Sequence, residues 1–169
     1  MTNSLVIMGV AGCGKSSLGA AVAQATGLAL VEGDDFHSPA SRAKMSQGTA
    51  LTDTDRGGWL GVLGEQLRAQ HAGLVLTCSA LKLSYRERLR QAAPGLRFVF
   101  LDISREQAQA RVAARAAQHF FSTTLVDSQF ATLENPTGEP GVLRVDALKS
   151  LAQLQVEVTA WLGAGTEQA

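Results

Sequence analysis

The chain has 169 residues, 46% of them apolar and 18% charged. That length and apolar content suit one domain with a single good core. Fifteen basic residues balance fifteen acidic ones, which removes the bulk field that binding to nucleic acid or a membrane surface would use.

The first apolar run, residues 5–8, leads into a glycine-rich turn and a helix-period stretch over 15–26. Gly27 follows, where a left-handed residue closes a helix. A second run at 28–31 precedes helical stretches over 38–47 and 58–70. The third run, 74–77, is followed by a helix over 81–92. The fourth, 98–101, is followed by one over 105–116, opened by Ser104 and Gln107 at capping-box spacing. The fifth, 142–145, is followed by one over 147–162, and 163–169 reads as a frayed tail. These runs are unbroken rather than alternating, as in strands covered on both faces. Their alternation with helices predicts a three-layer α/β domain around a parallel sheet with right-handed crossovers.

Two connections, 33–72 and 117–134, are too long for simple crossovers. Such insertions are expected to bind substrate or act as a lid. No run reaches the length of a membrane span, and no basic-then-apolar leader opens the chain. Cys13 and Cys78 form neither a disulfide framework nor a CxxC metal pair. The expectation is a cytoplasmic protein with reduced thiols and no nucleic-acid or membrane partner.

Gly9-Val10-Ala11-Gly12-Cys13-Gly14-Lys15-Ser16 fits G-x-x-x-x-G-K-[ST] in full. Glycines let the backbone close round an anion with its N–H groups turned inward, and the following helix adds its positive end. Lys15 can reach β- and γ-phosphates, and the Ser16 hydroxyl can ligate magnesium. The nucleotide-binding set is Gly9, Gly12, Cys13, Gly14, Lys15, Ser16 and Ser17. A GTPase would need a strand-borne DxxG and an NKxD motif. Asp55-Arg56-Gly57-Gly58 has no strand leading into it, and the only asparagines are Asn3 and Asn135. A large ATPase would need a longer chain and an apolar run ending in Asp-Glu. A small kinase remains.

Such a kinase needs an acceptor site, a base and a cationic lid. "LVEGDDFH" puts Glu32, Asp34, Asp35 and His37 at the end of the second run, the sheet edge where ligands bind in open α/β folds. A carboxylate there orients an acceptor hydroxyl or takes its proton; otherwise Asp34 and Asp35 cap the next helix. Arg111 and Arg115 share a helix face just before the second insertion. They either neutralise the transferring phosphoryl group or form a solvated pair. His119, Phe120 and Phe121 touch substrate from the lid or simply pack it.

"GVAGCGKSS", "EGDDFH", "AKMSQGTALTDTDRGGWL", "TCSALKLSYRERLR" and "DSQFATLE" together resemble the gluconokinases of bacteria and eukaryotes. These are relatives of shikimate kinase in the nucleoside monophosphate kinase-like P-loop group. The resemblance runs from about residue 4 to 162. It implies a three-layer P-loop fold with a five-stranded parallel sheet of order 2-3-1-4-5 and a moving lid. The activity it implies is phosphorylation of D-gluconate at its 6-hydroxyl by ATP and Mg2+, in a homodimer. It also assigns the acceptor hydroxyl to Asp34, and the acceptor-binding segment to His37, Lys44 and Arg56. Ser79 and Lys82 face the same edge, as site residues or as a helix cap and a solvated lysine. Lys15, Asp34 and Arg115 then carry catalysis, with Arg111 on the nucleotide and His119 on the acceptor. Two departures stand out: Glu32 replaces the first Asp of the family's Asp-Gly-Asp, and "RAAQHFF" lacks the lysine and glycine of Arg-Lys-Gly-His-Phe. Another acceptor on the same scaffold, as in a shikimate-type kinase, or a nucleotide-binding regulator without catalysis, remains open on the residues alone.

Overall fold

A computed structural model describes residues 2–115 and 123–167. Its five parallel strands are β1 (Leu5–Met8), β2 (Ala29–Glu32), β3 (Leu74–Thr77), β4 (Arg97–Asp102) and β5 (Val142–Asp146). They lie in the order β2-β3-β1-β4-β5. The helices are α1 (Lys15–Thr26), α2 (Pro39–Ser46), α3 (Asp53–Ala69), α4 (Leu83–Ala92), α5 (Arg105–Arg115), α6 (Thr123–Thr132) and α7 (Leu151–Glu167).

Alternation along β1 divides the core. Leu5 and Ile7 join Leu18 and Val22 of α1 and Leu154 and Val158 of α7 on one face. Val6 and Met8 join Leu60, Leu63 and Leu67 of α3 and Leu89 of α4 on the other. All four β1 side chains are fully buried, each contributing about 1.5–3 kcal/mol by leaving water. The expected two-sided burial holds for β1, β3 and most of β4 but not for the edge strands, β5, where Arg144 is exposed, and β2, where Ala29 and Leu30 are exposed. β2 is an edge strand, and one side of it has no neighbour to cover it.

Several boundaries differ from the sequence reading, among them the start of α7 at Leu151 rather than 147 and of α4 at Leu83 rather than 81. α3 begins at Asp53, five residues before the expected 58, because Thr52 and Asp55 form a reciprocal capping box that offsets the cost of Gly57 and Gly58. Residues 123–132, read as part of a loop, are the helix α6. The expected frayed tail is helical as far as Glu167, and Arg97 Nη1 donates to the Leu162 carbonyl at 3.3 Å beside it. At Ser104 only half of the expected box is found: Gln107 N donates to Ser104 Oγ at 3.2 Å. Among the described residues no helix is long and apolar enough to cross a membrane.

Candidate active site

The carboxyl ends of β1, β2 and β3 lie on one edge of the sheet, and the segments that leave them converge. After β1 comes the glycine turn, after β2 a 3-10 turn (Gly33–Phe36), and after β3 the loop that carries Ser79. Together with α5 and α6 they enclose a cleft of about 310 Å³, at the small end of the range for ligand sites.

The turn is shaped by its glycines. Gly12 has φ 82°, and a Cβ there would stand 2.9 Å from the Ala108 carbonyl of α5. Only glycine fits. Lys15 Nζ donates to the carbonyls of Gly9 and Val10 at 2.9 and 3.1 Å, so the ammonium is held over the turn. A phosphate oxygen would offer it a charged acceptor in their place. Gly12, Gly14, Lys15, Ser16 and Ser17 line the cleft. Gly9 supplies a carbonyl, and the Cys13 side chain is buried beneath the turn. Arg111 reaches the turn, not the cleft: Nη1 donates to the carbonyls of Gly12 and Cys13, and Nη2 to that of Ala147. Arg115, exposed at the end of α5, lines the cleft.

Gly33 sets the acceptor side. A Cβ there would fall 2.2 Å from the Thr77 carbonyl, so β2 can pass the end of β3 only with glycine. Trp59 Nε1 donates to the Gly33 carbonyl at 2.7 Å. The ring of His37, itself buried, stacks on Trp59. His37 Nε2 lies 3.5 Å from Asp34 Oδ1, and the Asp34 side chain is 72% exposed towards the cleft. Desolvation in the cleft wall pushes the Asp34 carboxyl up. The His37 hydrogen bond and the charges of Lys15, His37 and Arg42 outweigh it and hold the group below its ordinary 3.8. His37 Nδ1 is buried with no hydrogen-bond partner among the described residues.

Arg56, buried, lines the cleft and lies 5.7 Å over the Tyr85 ring. The Arg56 helix is braced by ion pairs that do not line the cleft. Lys82 Nζ donates to both Asp53 carboxylate oxygens at 3.0 and 3.2 Å, and the Tyr85 hydroxyl also donates to Asp53. Tyr85 first and Lys82 second lower the Asp53 carboxyl. Lys44 donates to Asp55 at 2.8 Å, which, with the Thr52 amide, takes Asp55 down to about 2. The structure therefore brings Asp34, His37, Arg56 and Ser79 together with the turn, and it sets Lys44 and Lys82 outside the cleft wall as braces of α3. His119 lies outside the described residues.

Three further cleft residues have no role in the sequence reading. Arg42 Nη2 donates to the Asp35 carbonyl at 3.0 Å and the Asp34 carbonyl at 3.4 Å, and Nε donates to that of His37 at 3.4 Å. It closes the 3-10 turn and puts a third guanidinium in the cleft, beside those of Arg56 and Arg115. Trp59 and Gln129 also line it. Trp59 and Gln129 stand within the stretches "AKMSQGTALTDTDRGGWL" and "DSQFATLE" that carry the resemblance, and Arg42 stands within the 33–72 insertion.

A magnesium ion finds suitable donors beside the turn. Ser16 Oγ donates to Glu32 Oε2 at 3.1 Å, and Thr77 Oγ1 donates to the same oxygen at 2.5 Å. A hydroxyl and a carboxylate oxygen are the hard donors magnesium prefers. Among the described residues no three His, Cys, Asp or Glu form a metal cage. Cys78 has no part in this, since burial pushes its thiol up to about 12.

The AAA-domain family matches residues 5–136. A gluconokinase of Gluconobacter oxydans (strain 621H) is 45% identical over 149 residues, covering 86% of this chain and 83% of that one. The crystal structure of a gluconokinase from Sinorhizobium meliloti 1021 superposes with a TM-score of 0.89 at 44% identity, covering 98% of this chain and 94% of the other. A sugar kinase from Janibacter sp. HTCC2649 gives 0.90 at 38% identity, over 96% and 95%.

Proposed function

The chain belongs to the gluconokinase family, and from that premise we propose that it transfers the terminal phosphoryl group of ATP to the 6-hydroxyl of D-gluconate, giving 6-phospho-D-gluconate and ADP. The observation that carries this reading is the meeting, in one cleft, of a phosphate-binding turn with a carboxylate and two guanidinium groups, Asp34 with Arg42 and Arg56. An acceptor that is both an anion and a polyol needs cations for its carboxylate and polar groups for its hydroxyls. The choice of gluconate over other sugar acids rests on what the relatives are.

In this reading Lys15 and the amides of Gly12, Gly14, Ser16 and Ser17 hold the phosphates. Ser16 and Glu32 would hold magnesium, which neutralises charge on the phosphate oxygens when bound. The donor side keeps its positive charge fixed, so nothing must reorganise as charge shifts onto the leaving ADP. Asp34, held ionised, accepts a hydrogen bond from the 6-hydroxyl and aims its oxygen at phosphorus. Its lowered basicity suits orientation better than early deprotonation. In a loose phosphoryl transfer the proton leaves late, once the new O–P bond is forming. Arg115 stabilises the equatorial oxygens of the moving group. His37 and Arg56 engage the acceptor, with Ser79 beside them. Lys44 and Lys82 act through α3, and Arg111 acts through the turn.

The acceptor-binding segment is residues 33–72 and the lid about 117–134, with His119 on the lid. Action as a homodimer in the cytoplasm completes the reading. The test is ADP release, coupled to NADH oxidation, with D-gluconate, shikimate, glycerate and nucleoside monophosphates as acceptors. Turnover on gluconate at least a hundredfold above the others is expected. Preference for another acceptor, or nucleotide binding without transfer, overturns the reading.

A further inference from the structure

The glycine turn is gripped from outside by the two helices that flank residues 116–122. From α5, Arg111 Nη1 takes the carbonyls of Gly12 and Cys13 at 3.3 and 3.4 Å. From α6, Gln129 Oε1 accepts the Ala11 N–H at 2.7 Å, across 118 positions of sequence. The far end of α6 is tied to the acceptor side. There Glu134 N donates to the Leu81 carbonyl at 2.8 Å, and Glu134 Oε1 accepts the Leu83 N–H at 2.9 Å. Helix α6 is thus a strut between the donor and acceptor halves of the cleft.

An N–H in this turn has one proton and two kinds of acceptor to choose from, a phosphate oxygen or a protein oxygen. At Ala11 the choice is made by Gln129. Its carboxamide fixes the plane of the peptide between Val10 and Ala11, one residue ahead of the left-handed Gly12. At Gly12 the backbone passes close to α5, where an added Cβ would meet the Ala108 carbonyl. Fixing that peptide restricts the path of the backbone into Gly12 and, with it, the directions open to the amides that follow. Gln129 also lines the cleft next to Ser128, so any shift of α6 is passed straight to the turn.

We propose that Gln129 is a positioning residue for the nucleotide, holding the Ala11 amide so that the amides beyond it face the phosphates, and so tying the turn to helix α6. This rests on the phosphate-binding reading of the turn and not on which acceptor is phosphorylated.

The experiment is a titration with ADP, without acceptor, of the wild type, Gln129→Met and Val126→Ala, with 1H–15N spectra of each. Met keeps the length of the side chain and lacks a strong acceptor. Val126, fully buried in α6, loosens the helix when truncated and leaves the carboxamide in place. Gln129→Met is expected to weaken ADP five- to tenfold, the worth of one hydrogen bond. It should also speed exchange of the Ala11 amide and raise KM for ATP while leaving KM for the acceptor unchanged. Gln129→Ala repeats the titration if Met disturbs folding. Wild-type ADP affinity in both Gln129 variants overturns the proposal, as does an equal loss of affinity in Val126→Ala, which would make the role one of packing alone. Failure of the wild type to bind ADP overturns it together with the phosphate reading. Binding of ADP with no turnover of gluconate touches only the acceptor assignment.

Discussion

His37 lies flat on Trp59, with ring centroids 4.2 Å apart and planes 21° from parallel, while the indole N–H of Trp59 holds the Gly33 carbonyl. One tryptophan on α3 thereby fixes both ends of the turn that carries Asp34. Trp59→Phe keeps an aromatic face under His37 and removes the donor. It should cost about 1 kcal/mol in urea unfolding and lower kcat for gluconate several-fold, with KM for ATP unchanged. Trp59→Leu, which loses the stack as well, should cost about 3 kcal/mol.

Gly33→Ala tests the same turn from the backbone. The added methyl meets the Thr77 carbonyl, which belongs to a buried strand and cannot swing aside. Overpacking of this kind costs about 1–3 kcal/mol. The less expensive escape is a shift of the 3-10 turn, which moves Asp34. Turnover should therefore fall by more than tenfold even at temperatures where circular dichroism finds the variant folded. A variant with wild-type kcat would show that the turn does not position the carboxylate.

Asp34→Asn should reduce kcat by about a hundred- to ten-thousandfold, the usual span for a proton-handling group, with ADP affinity retained. The acid limb of the wild-type pH–rate profile follows from the lowered Asp34 carboxyl. Its folded value lies below the unfolded one, so folding favours the ionised form. The resulting stability is present above about pH 4 and is lost as pH falls through the folded value. Activity should likewise show no carboxylate-dependent loss until the pH drops below the ordinary Asp range. Arg42→Met removes one of the charges that lower Asp34 and should move that limb upward.

The five strands and the phosphate turn were legible because their signals are local: unbroken apolar runs, and a fixed spacing of glycine, lysine and serine. Asp34 and His37 were legible from their place at the end of the second apolar run, and Arg56 through resemblance alone. Helix α6 carries a weak signal because "TTLVDSQFAT" opens with two β-branched residues. Arg42 reads as an ordinary solvated charge until the chain folds its 3-10 turn back onto it, seven and eight residues upstream. Gln129 meets its partner from the other end of the chain, and nothing within a helix turn of it foretells the contact. Lys44 and Lys82 look like anion-binding cations in sequence, yet each is taken by an aspartate of α3.

Those two lysines give a direct test of where the acceptor's carboxylate is read. Arg56 lines the cleft and is buried, so its hydrogen bond to an anion is poorly screened. Arg56→Met should raise KM for gluconate about ten- to a hundredfold, the range for a hydrogen bond to a charged group, with KM for ATP little changed. Lys82→Met should shift it by less than threefold, since its ammonium is spent on Asp53 at the surface. If Lys82→Met raised KM more than Arg56→Met, the anion site would have to lie over Asp53, not within the cleft.

The segment 134–139 depends on a side chain that never touches substrate. Arg86 is fully buried and donates to the Ala80 carbonyl at 2.7 Å, to the Glu134 carbonyl at 3.0 Å and to both oxygens of Glu139 at 3.0 and 2.6 Å. Ala80, the residue it holds, has φ 47°, a left-handed conformation that costs a non-glycine residue about 1–2 kcal/mol. Arg86→Leu fills the space but strands three acceptors, and breaking a buried ion pair usually costs about 3–5 kcal/mol. Glu139→Gln keeps an acceptor for both Arg86 and Arg90 and should cost less than half as much. Urea unfolding of both variants decides it. Because Ala80 joins Ser79 to the loop that anchors the far end of α6, Arg86→Leu should also raise KM for the acceptor in the fraction that remains folded. Equal losses from the two variants would mean that the charge on Glu139, not the bonds to the two backbone carbonyls, supplies most of the stability.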